Sequence, residues 1–226
     1  MKIALIADTH WGVRNDSISF MEYYEKFFKE IFFPEIEKRN IKTILHLGDI
    51  VDRRKYINYV TLRHLKENFV DLCSHKNLKL HVIVGNHDVP YKNNNDVNAI
   101  KELFGNSTNY YEACSLVDFG DGIDHAIIPW INSSNYSDTL NFIQKCKAQV
   151  AFGHLEIQGC LMMRGHISEH GIDIKTFEKF EKVYSGHFHT KSTTKNVTYL
   201  GCPYELTWND YQNTKGFYIY DTKTRE

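Results

Sequence analysis

Residues 42–53 read Lys-Thr-Ile-Leu-His-Leu-Gly-Asp-Ile-Val-Asp-Arg. The first half, Lys42 to Leu47, is a short apolar run of the kind that fills a buried parallel strand. The second half turns polar at Gly48 and carries Asp49, Asp52 and Arg53. The same change occurs twice more: Lys2 to Ala7 (KIALIA) runs into Asp8-Thr9-His10, and Lys79 to Val84 (KLHVIV) runs into Gly85-Asn86-His87-Asp88. The stretches between read as helices. Ser19 to Arg39 is rich in aromatics (Phe20, Tyr24, Phe27, Phe28), and Pro34 is expected to kink or divide it. Val60 to His75 sets Leu62, Leu65, Phe69 and Leu72 on one stripe, which reads as core. A short helix is expected over residues 96–104. The first half is therefore βαβαβ, the pattern of a parallel sheet.

The texture then changes. Leu116 to Phe119, Ile123 to Ile128, Gln149 to Phe152, Lys182 to Ser185, Val197 to Leu200 and Gly216 to Tyr220 read as strands with short connections. Helices are expected at 137–147 and 173–180. Two packed sheets flanked by helices fit this order, within one α/β domain.

The chain has 226 residues, 42% of them hydrophobic and 24% charged, enough for one domain with a sizeable core. Its 27 basic and 28 acidic side chains nearly cancel. A nucleic-acid partner would thus be held by local patches, metal ions or a second protein, not by a general basic excess. Cys73, Cys114, Cys146, Cys160 and Cys202 are scattered and form no C-x-x-C. That argues against a disulfide framework and a zinc knuckle, and for free thiols in a reducing cytoplasm. No apolar run approaches the ~20 residues of a membrane span, and no signal peptide opens the chain.

Two more polar segments follow strands: Gly153-His154, and Gly186-His187-Phe188-His189. The ends of parallel strands are where ligands bind in open α/β sheets, so all five segments are expected to converge. Asp, Asn and neutral His suit hard-to-borderline divalent ions. Asp8, His10, Asp49, Asn86, His154, His187 and His189 are too many for one ion and suit two. A carboxylate such as Asp49 can bridge the ions, and such a pair clamps a phosphoryl group while activating a water. The glycines before Asp49, Asn86, His154 and His187 suit tight turns with close backbone approach. Each piece alone is weak, since lone histidines are more often core or surface. His166 and His170 lie among glycines and read as a loop without a ligand role.

The order D-x-H, G-D-x-x-D-R, G-N-H-D, G-H, G-H-x-H resembles that of the calcineurin-like metallophosphoesterases over nearly the whole chain. The resemblance implies a four-layer α-β-β-α sandwich forming a single catalytic domain. It implies one metal on Asp8, His10, Asp49 and His189, and a second on Asp49, Asn86, His154 and His187. It leaves His87 off the metals and facing the scissile phosphate as proton donor or charge stabiliser. It also implies that the Asp52 carboxylate pairs with His87 and raises its pKa, and that Arg53 touches phosphate oxygens.

Ile83 to Asp88 followed by Tyr91-Lys92-Asn93, then Ile128-Pro129-Trp130 and Leu200-Gly201-Cys202-Pro203-Tyr204, is further similar to the SbcD-type recombination and repair nucleases, most of all those of tailed phages. This implies a manganese-dependent enzyme, a 3′-to-5′ exonuclease on duplex DNA and an endonuclease on single strands. It implies a homodimer working with an SbcC-type, SMC-like ABC ATPase. Asp52, where many cellular relatives carry histidine, favours the phage branch. The usual DNA-capping and ATPase-docking regions are not expected within residues 1–226. Trp11, Arg14, Arg54, Lys55 and Lys92 follow the first three motifs and are expected to line the active-site edge and contact DNA. Two rivals share the fold: a phosphoprotein or nucleotide phosphatase, and a scaffold that has lost its metals. The intact ligand set disfavours the second, and the H-x-H ending and Asp88 disfavour the first.

Overall fold

A computed structural model describes residues 1–226. Along the chain β1 (Lys2–Ile6) leads to α1 (Ile18–Phe27), β2 (Thr43–His46), α2 (Tyr59–Leu65), β3 (Lys79–Ile83), α3 (Ala99–Phe104) and β4 (Asn109–Tyr111). β5 (Ser115–Asp118), β6 (Asp124–Ile128), α4 (Tyr136–Lys145) and β7 (Val150–His154) follow. Four short strands come next: β8 (Ile157–Gln158), β9 (Leu161–Met163), β10 (His166–Ile167) and β11 (Ile172–Asp173). β12 (Lys182–Gly186), β13 (Ser192–Thr194), β14 (Val197–Tyr199) and β15 (Tyr218–Asp221) complete the order.

One sheet runs β15-β1-β2-β3-β4 and the other β13-β14-β12-β7-β6-β5. β1 to β4 are mutually parallel, as are β6, β7, β12 and β14; β5, β13 and β15 pair antiparallel at the margins. Alternation along each strand builds the layers. In the first sheet Ala4, Ile6, Ile44 and Val82 face Phe28, Phe32, Leu65 and Phe69 of the helices. Ile3, Leu5, Leu45 and Ile83 face the other way, onto Ile127, Val150, Phe152 and Tyr184 of the second sheet. There Ala126, Ile128, Ala151 and Val183 turn outward onto Ile143, Phe177 and Phe180. The result is the expected α-β-β-α arrangement. Strands buried on both faces explain why β1, β2 and β3 read as unbroken apolar runs rather than alternating ones.

The expected strands of both halves are present within a residue or two of their bounds. The expected division at Pro34 is not. α1 continues through a π-helical turn, Phe28–Phe32, into Phe33–Lys38. Pro34 falls in the first turn of that last segment, where its missing N–H is least costly. Phe33 donates to the Phe28 carbonyl five residues back, so the ladder shifts register instead of breaking. Residues 174–177 form a 3-10 turn in place of the longer helix expected there. His166 lies exposed on β10, away from the clustered motifs.

The loops after β1, β2 and β3 are tied together by backbone bonds and one carboxylate. Asp8 N–H donates to Gly48 O at 3.0 Å and His10 N–H to Asp49 O at 3.1 Å. The fully buried Asp88 carboxylate accepts from the N–H groups of Asp49 (2.8 Å), Ile50 (3.0 Å), Val51 (3.3 Å) and Gly85 (2.8 Å). Asp88→Asn would turn an amine toward N–H donors and orphan at least one of them. It is expected to destabilise the fold by roughly 2–4 kcal/mol in urea unfolding.

His81 of β3 is buried between the sheets, bonded through Nδ1 to the Tyr111 hydroxyl at 2.7 Å. Burial, helped by Lys79, holds its pKa down at about 4 against the usual 6.5. The unfolded chain therefore takes up a proton that the folded chain refuses, and stability falls as pH drops through the window from 6.5 to about 4. His81→Asn keeps an acceptor for Tyr111 and removes the titration. The loss of unfolding free energy between pH 7 and pH 5 should shrink by about 1–2 kcal/mol in this variant.

Candidate metal centre

Asp8 and His10 follow β1, Asp49 follows β2, and Asn86 and His87 follow β3; His154 ends β7, and His187 and His189 follow β12. All seven expected ligands come together at the seam between the sheets. Asn86 Oδ1 lies 3.0 Å from His154 Nε2 and 2.8 Å from His187 Nδ1. Asp49 Oδ2 lies 3.4 Å from His154 Nε2 and 3.8 Å from His10 Nε2. His10 Nε2 and His189 Nε2 are 3.0 Å apart. Four overlapping groups have their candidate ligand atoms within 4.8 Å of one another: Asp8–His10–His189 and Asp49–His154–His187, which between them hold six of the seven, and His10–Asp49–His87 and His189–Cys202–Asp210. Asp49 joins the first two.

The donor set fits cations. His154 donates Nδ1–H to the Leu47 carbonyl at 2.8 Å, which aims Nε2 at two oxygen acceptors, Asn86 Oδ1 and Asp49 Oδ2. These buried acceptors call for a positive charge among them, which a proton on Nε2 or a metal ion in its place supplies. Ligand atoms bound at ~2.0–2.2 Å to one ion lie ~3 Å apart when at right angles, and the separations here are of that size.

The protonation equilibria carry the same message. Burial alone would lower His154, but the Asp49 and Asp8 carboxylates outweigh it and raise its pKa to about 9. Burial pushes Asp8 up to about 7, against the pull of His154. Burial would raise Asp49 too, yet His154 and His10 hold it well below the ordinary carboxylate range. Burial and neighbouring histidines keep His187 and His189 near 3, so both are neutral imidazoles, the form that binds metal.

Crowding sets the loop conformations. Asp8, His10, Asp49 and His187 all take positive φ, between 45° and 92°. Such strain is tolerated where surroundings over-determine it. A Cβ on Gly48 would meet the His154 ring at 2.5 Å, and one on Gly85 would meet Asp49 Oδ1 at 2.3 Å. Only glycine lets these backbones pass the ligands.

Several expected roles change. The Asp52 carboxylate reaches His10 Nδ1 at 3.4 Å, not His87; it is the Asp52 main-chain carbonyl that accepts from His87 Nδ1, at 2.6 Å. Asp52 therefore backs a ligand, and the His87 pKa falls through burial instead of rising. Arg53 is committed to a left-handed turn: it pairs with Asp16 at 2.8 Å, bonds Asn15 and lies over Tyr56. Trp11 does not line the edge. The loop bridge with Val51 turns its indole into the core, 1% exposed and stacked on Phe28. Arg14 faces away, donating Nε–H to Leu206 O at 3.2 Å. Arg54, Lys55 and Lys92 do gather, with Tyr91, Asn93 and Ser133, around an open basin of about 620 Å³.

Other contributions come without an expected role, although Trp130 belongs to the Ile128-Pro129-Trp130 segment. The Trp130 ring packs 5.3 Å from His187 and its Nε1–H reaches Lys92 O at 3.4 Å. Asn95 and Asn135 both donate to the Trp130 carbonyl. Buried His46 bonds Thr9 Oγ1 at 2.9 Å behind the first motif. The Lys215 ammonium pairs with Asp210 at 2.7 Å and donates to His189 O at 2.9 Å. The apolar-to-polar switch at Trp130 and the lone Lys-Gly pair at 215–216 were the only sequence signals of these.

Comparison with known proteins bears on the family of the chain. The family model described as calcineurin-like phosphoesterase matches residues 1–191. Exonuclease subunit 1 of Enterobacteria phage T4 is 36% identical over 227 residues, covering 99% of this chain and 66% of its own length. Among solved structures, an archaeal phosphodiesterase superposes with a TM-score of 0.44 at 13% identity, covering 100% of this chain and 96% of that one. The nuclease MPE of Pseudomonas putida gives 0.43 at 17% identity, over 88% and 72% of the two chains. With its motifs in order and the family model spanning most of its length, the chain belongs to the calcineurin-like phosphoesterases, dinuclear metal-dependent hydrolases of phosphoester bonds.

Proposed function

We propose that this phosphoesterase is a DNA nuclease that uses two divalent ions, Mn²⁺ being the natural pair. The observation that carries the reading is the joining of a two-cluster donor set through Asp49 with a basic basin of Arg54, Lys55 and Lys92 beside it. Asp8, His10, Asp49 and His189 would hold one ion; Asp49, Asn86, His154 and His187 the other. The ions would supply charge stabilisation of the phosphoryl group and an activated water. The chain's own part is orientation. The Asp52 carboxylate stands 3.4 Å behind His10 Nδ1, the Leu47 carbonyl fixes His154, and His187 N–H bonds the Asp8 carboxylate at 2.9 Å. His87, edge-on to His10 at 4.8 Å, is the one motif histidine outside both ligand sets. Its Nδ1–H is spent on the Asp52 carbonyl, leaving Nε2 to assist the leaving oxygen. The lowered pKa makes its protonated form a readier donor.

A diester on a long strand suits this site better than a phosphomonoester. The arginine that would steady a terminal phosphate, Arg53, is tied to Asp16, while the free cations line an extended basin. We further propose that residues 1–226 act as one catalytic domain with 3′-to-5′ exonuclease activity on duplex DNA and endonuclease activity on single strands, in recombination and repair. The chain spans about two thirds of the phage relative, and that relative is called a subunit, which supports a partner; an SbcC-type, SMC-like ATPase is the one proposed. Tyr59 and Val60, 87% and 54% exposed at the head of α2, offer an apolar surface for a homodimer. No helix is long and apolar enough to cross a membrane.

Purified chain with Mn²⁺ should cut 3′-labelled duplex and circular single-stranded DNA, and Asn86→Ala should lower the rate by about 10²-fold or more. Turnover of p-nitrophenyl phosphate or a phosphopeptide without DNA cleavage would move the protein to the phosphatase branch. His87→Ala should retain two metals per chain by elemental analysis while kcat falls about 10²-fold. An unchanged kcat in the metal-replete variant would remove His87 from the mechanism.

A further inference from the structure

A groove of about 430 Å³, walled by Arg14, Phe20, Tyr23, Leu206, Trp208 and Tyr211, is tied to the metal centre through Asp210 and Lys215, which bonds the His189 carbonyl. Three of its aromatics stand in solvent: Trp208 is 88% exposed, Tyr211 61% and Tyr23 47%. Clustered exposed aromatics are costly and mark a binding surface. This one is rigid. Asp210, buried, accepts from Leu206 N–H (3.1 Å), Thr207 N–H (2.8 Å) and Thr207 Oγ1 (3.1 Å), closing a capping box around the turn that carries Trp208. Lys215 joins Asp210 to the His189 carbonyl, and the Tyr204 hydroxyl bonds Thr9 O at 2.8 Å. Groove and metal centre are thus joined by hydrogen bonds.

We propose that this groove is a stacking site for unpaired nucleobases of a single strand that continues from the metal centre, a reading that rests on the nuclease function proposed above. Flat, exposed indole and phenol faces next to a guanidinium are the chemistry that holds single strands without reading sequence. The charge fits. Asp16, the acid of the Arg14 turn, is taken by Arg53; Arg14 spends Nε–H on the Leu206 carbonyl and has no carboxylate ion pair, so its terminal nitrogens remain for a phosphate at the groove's edge. Glu205, on the same rim, keeps the backbone out of the groove and favours bases inside it. The basic basin of Arg54, Lys55 and Lys92 would track phosphates, so the two surfaces divide the strand between charge and stacking.

The test is binding in chelator, where nothing is cut. A fluorescent ten-residue oligothymidylate should bind the full chain, and an abasic oligomer of equal length should bind at least tenfold more weakly. Emission of the protein should be quenched by the oligothymidylate, because Trp11 and Trp130 are buried and Trp208 is not. Trp208→Ala and Tyr211→Ala should each weaken binding by roughly tenfold. Equal affinity for the abasic oligomer, or unchanged affinity in both variants, overturns the proposal. So does a Trp208→Ala chain that keeps its oligonucleotide affinity and instead loses self-association in sedimentation, which would assign the groove to a second copy. Cleavage of DNA by the unaltered chain with Mn²⁺ tests the nuclease reading separately, and its outcome does not depend on the groove.

Discussion

A carboxylate buried between histidines governs this molecule. Asp49 is shut away from water, 3.4 Å from His154 and 3.8 Å from His10, with Asp8 close by. Buried charge of one sign is unfavourable without a counter-charge. The metal-free chain answers in part by raising His154 to about 9 and Asp8 to about 7. Divalent ions answer in full, and the need for them is built into the fold. The same concentration of charge that burdens folding gives a phosphoester site its force on a transferring phosphoryl group.

The rest of the structure exists to hold that arrangement. Asp49 is placed by Asp88, whose carboxylate gathers four N–H groups from two loops. Positive φ at Asp8, His10, Asp49 and His187 is the strain of crowding ligands to hydrogen-bond range. The parallel ladders below absorb it. β1, β2 and β3 supply one side of the site and β7 and β12 the other, so the packing of Leu5, Leu45 and Ile83 on Ile127 and Phe152 sets the separation of ligands from different sheets. Ligand geometry here is a consequence of core packing.

Proximity in sequence proved a poor guide to the site's rim. Trp11 is one residue past a ligand and is core; Arg14 is four past it and belongs to a different groove. Asp52 and Arg53 are neighbours whose side chains part, one to His10 and one to Asp16. In tight turns each residue rotates the direction of the next side chain by a large angle, so a motif fixes which residues are near, not where they point. Trp208, Asp210 and Lys215, far along the chain, stand closer in effect to His189 than most of those neighbours.

Much was nevertheless legible from the residues alone. Apolar runs ending in Asp8-x-His10, Gly48-Asp49 and Gly85-Asn86 revealed doubly buried strands and the edge where ligands meet, because period and burial are local and additive. That the seven candidate donors would cluster was readable because metal chemistry restricts residue types more tightly than packing does. Tertiary structure alone decided the partner of Asp52, the fate of Trp11 and Arg53, the clamp by Asp88 and the wiring of Trp208 to His189. These depend on side-chain directions at loop ends and on contacts between segments up to almost two hundred residues apart, such as Tyr204 with Thr9, and no local pattern encodes a distance between two loops.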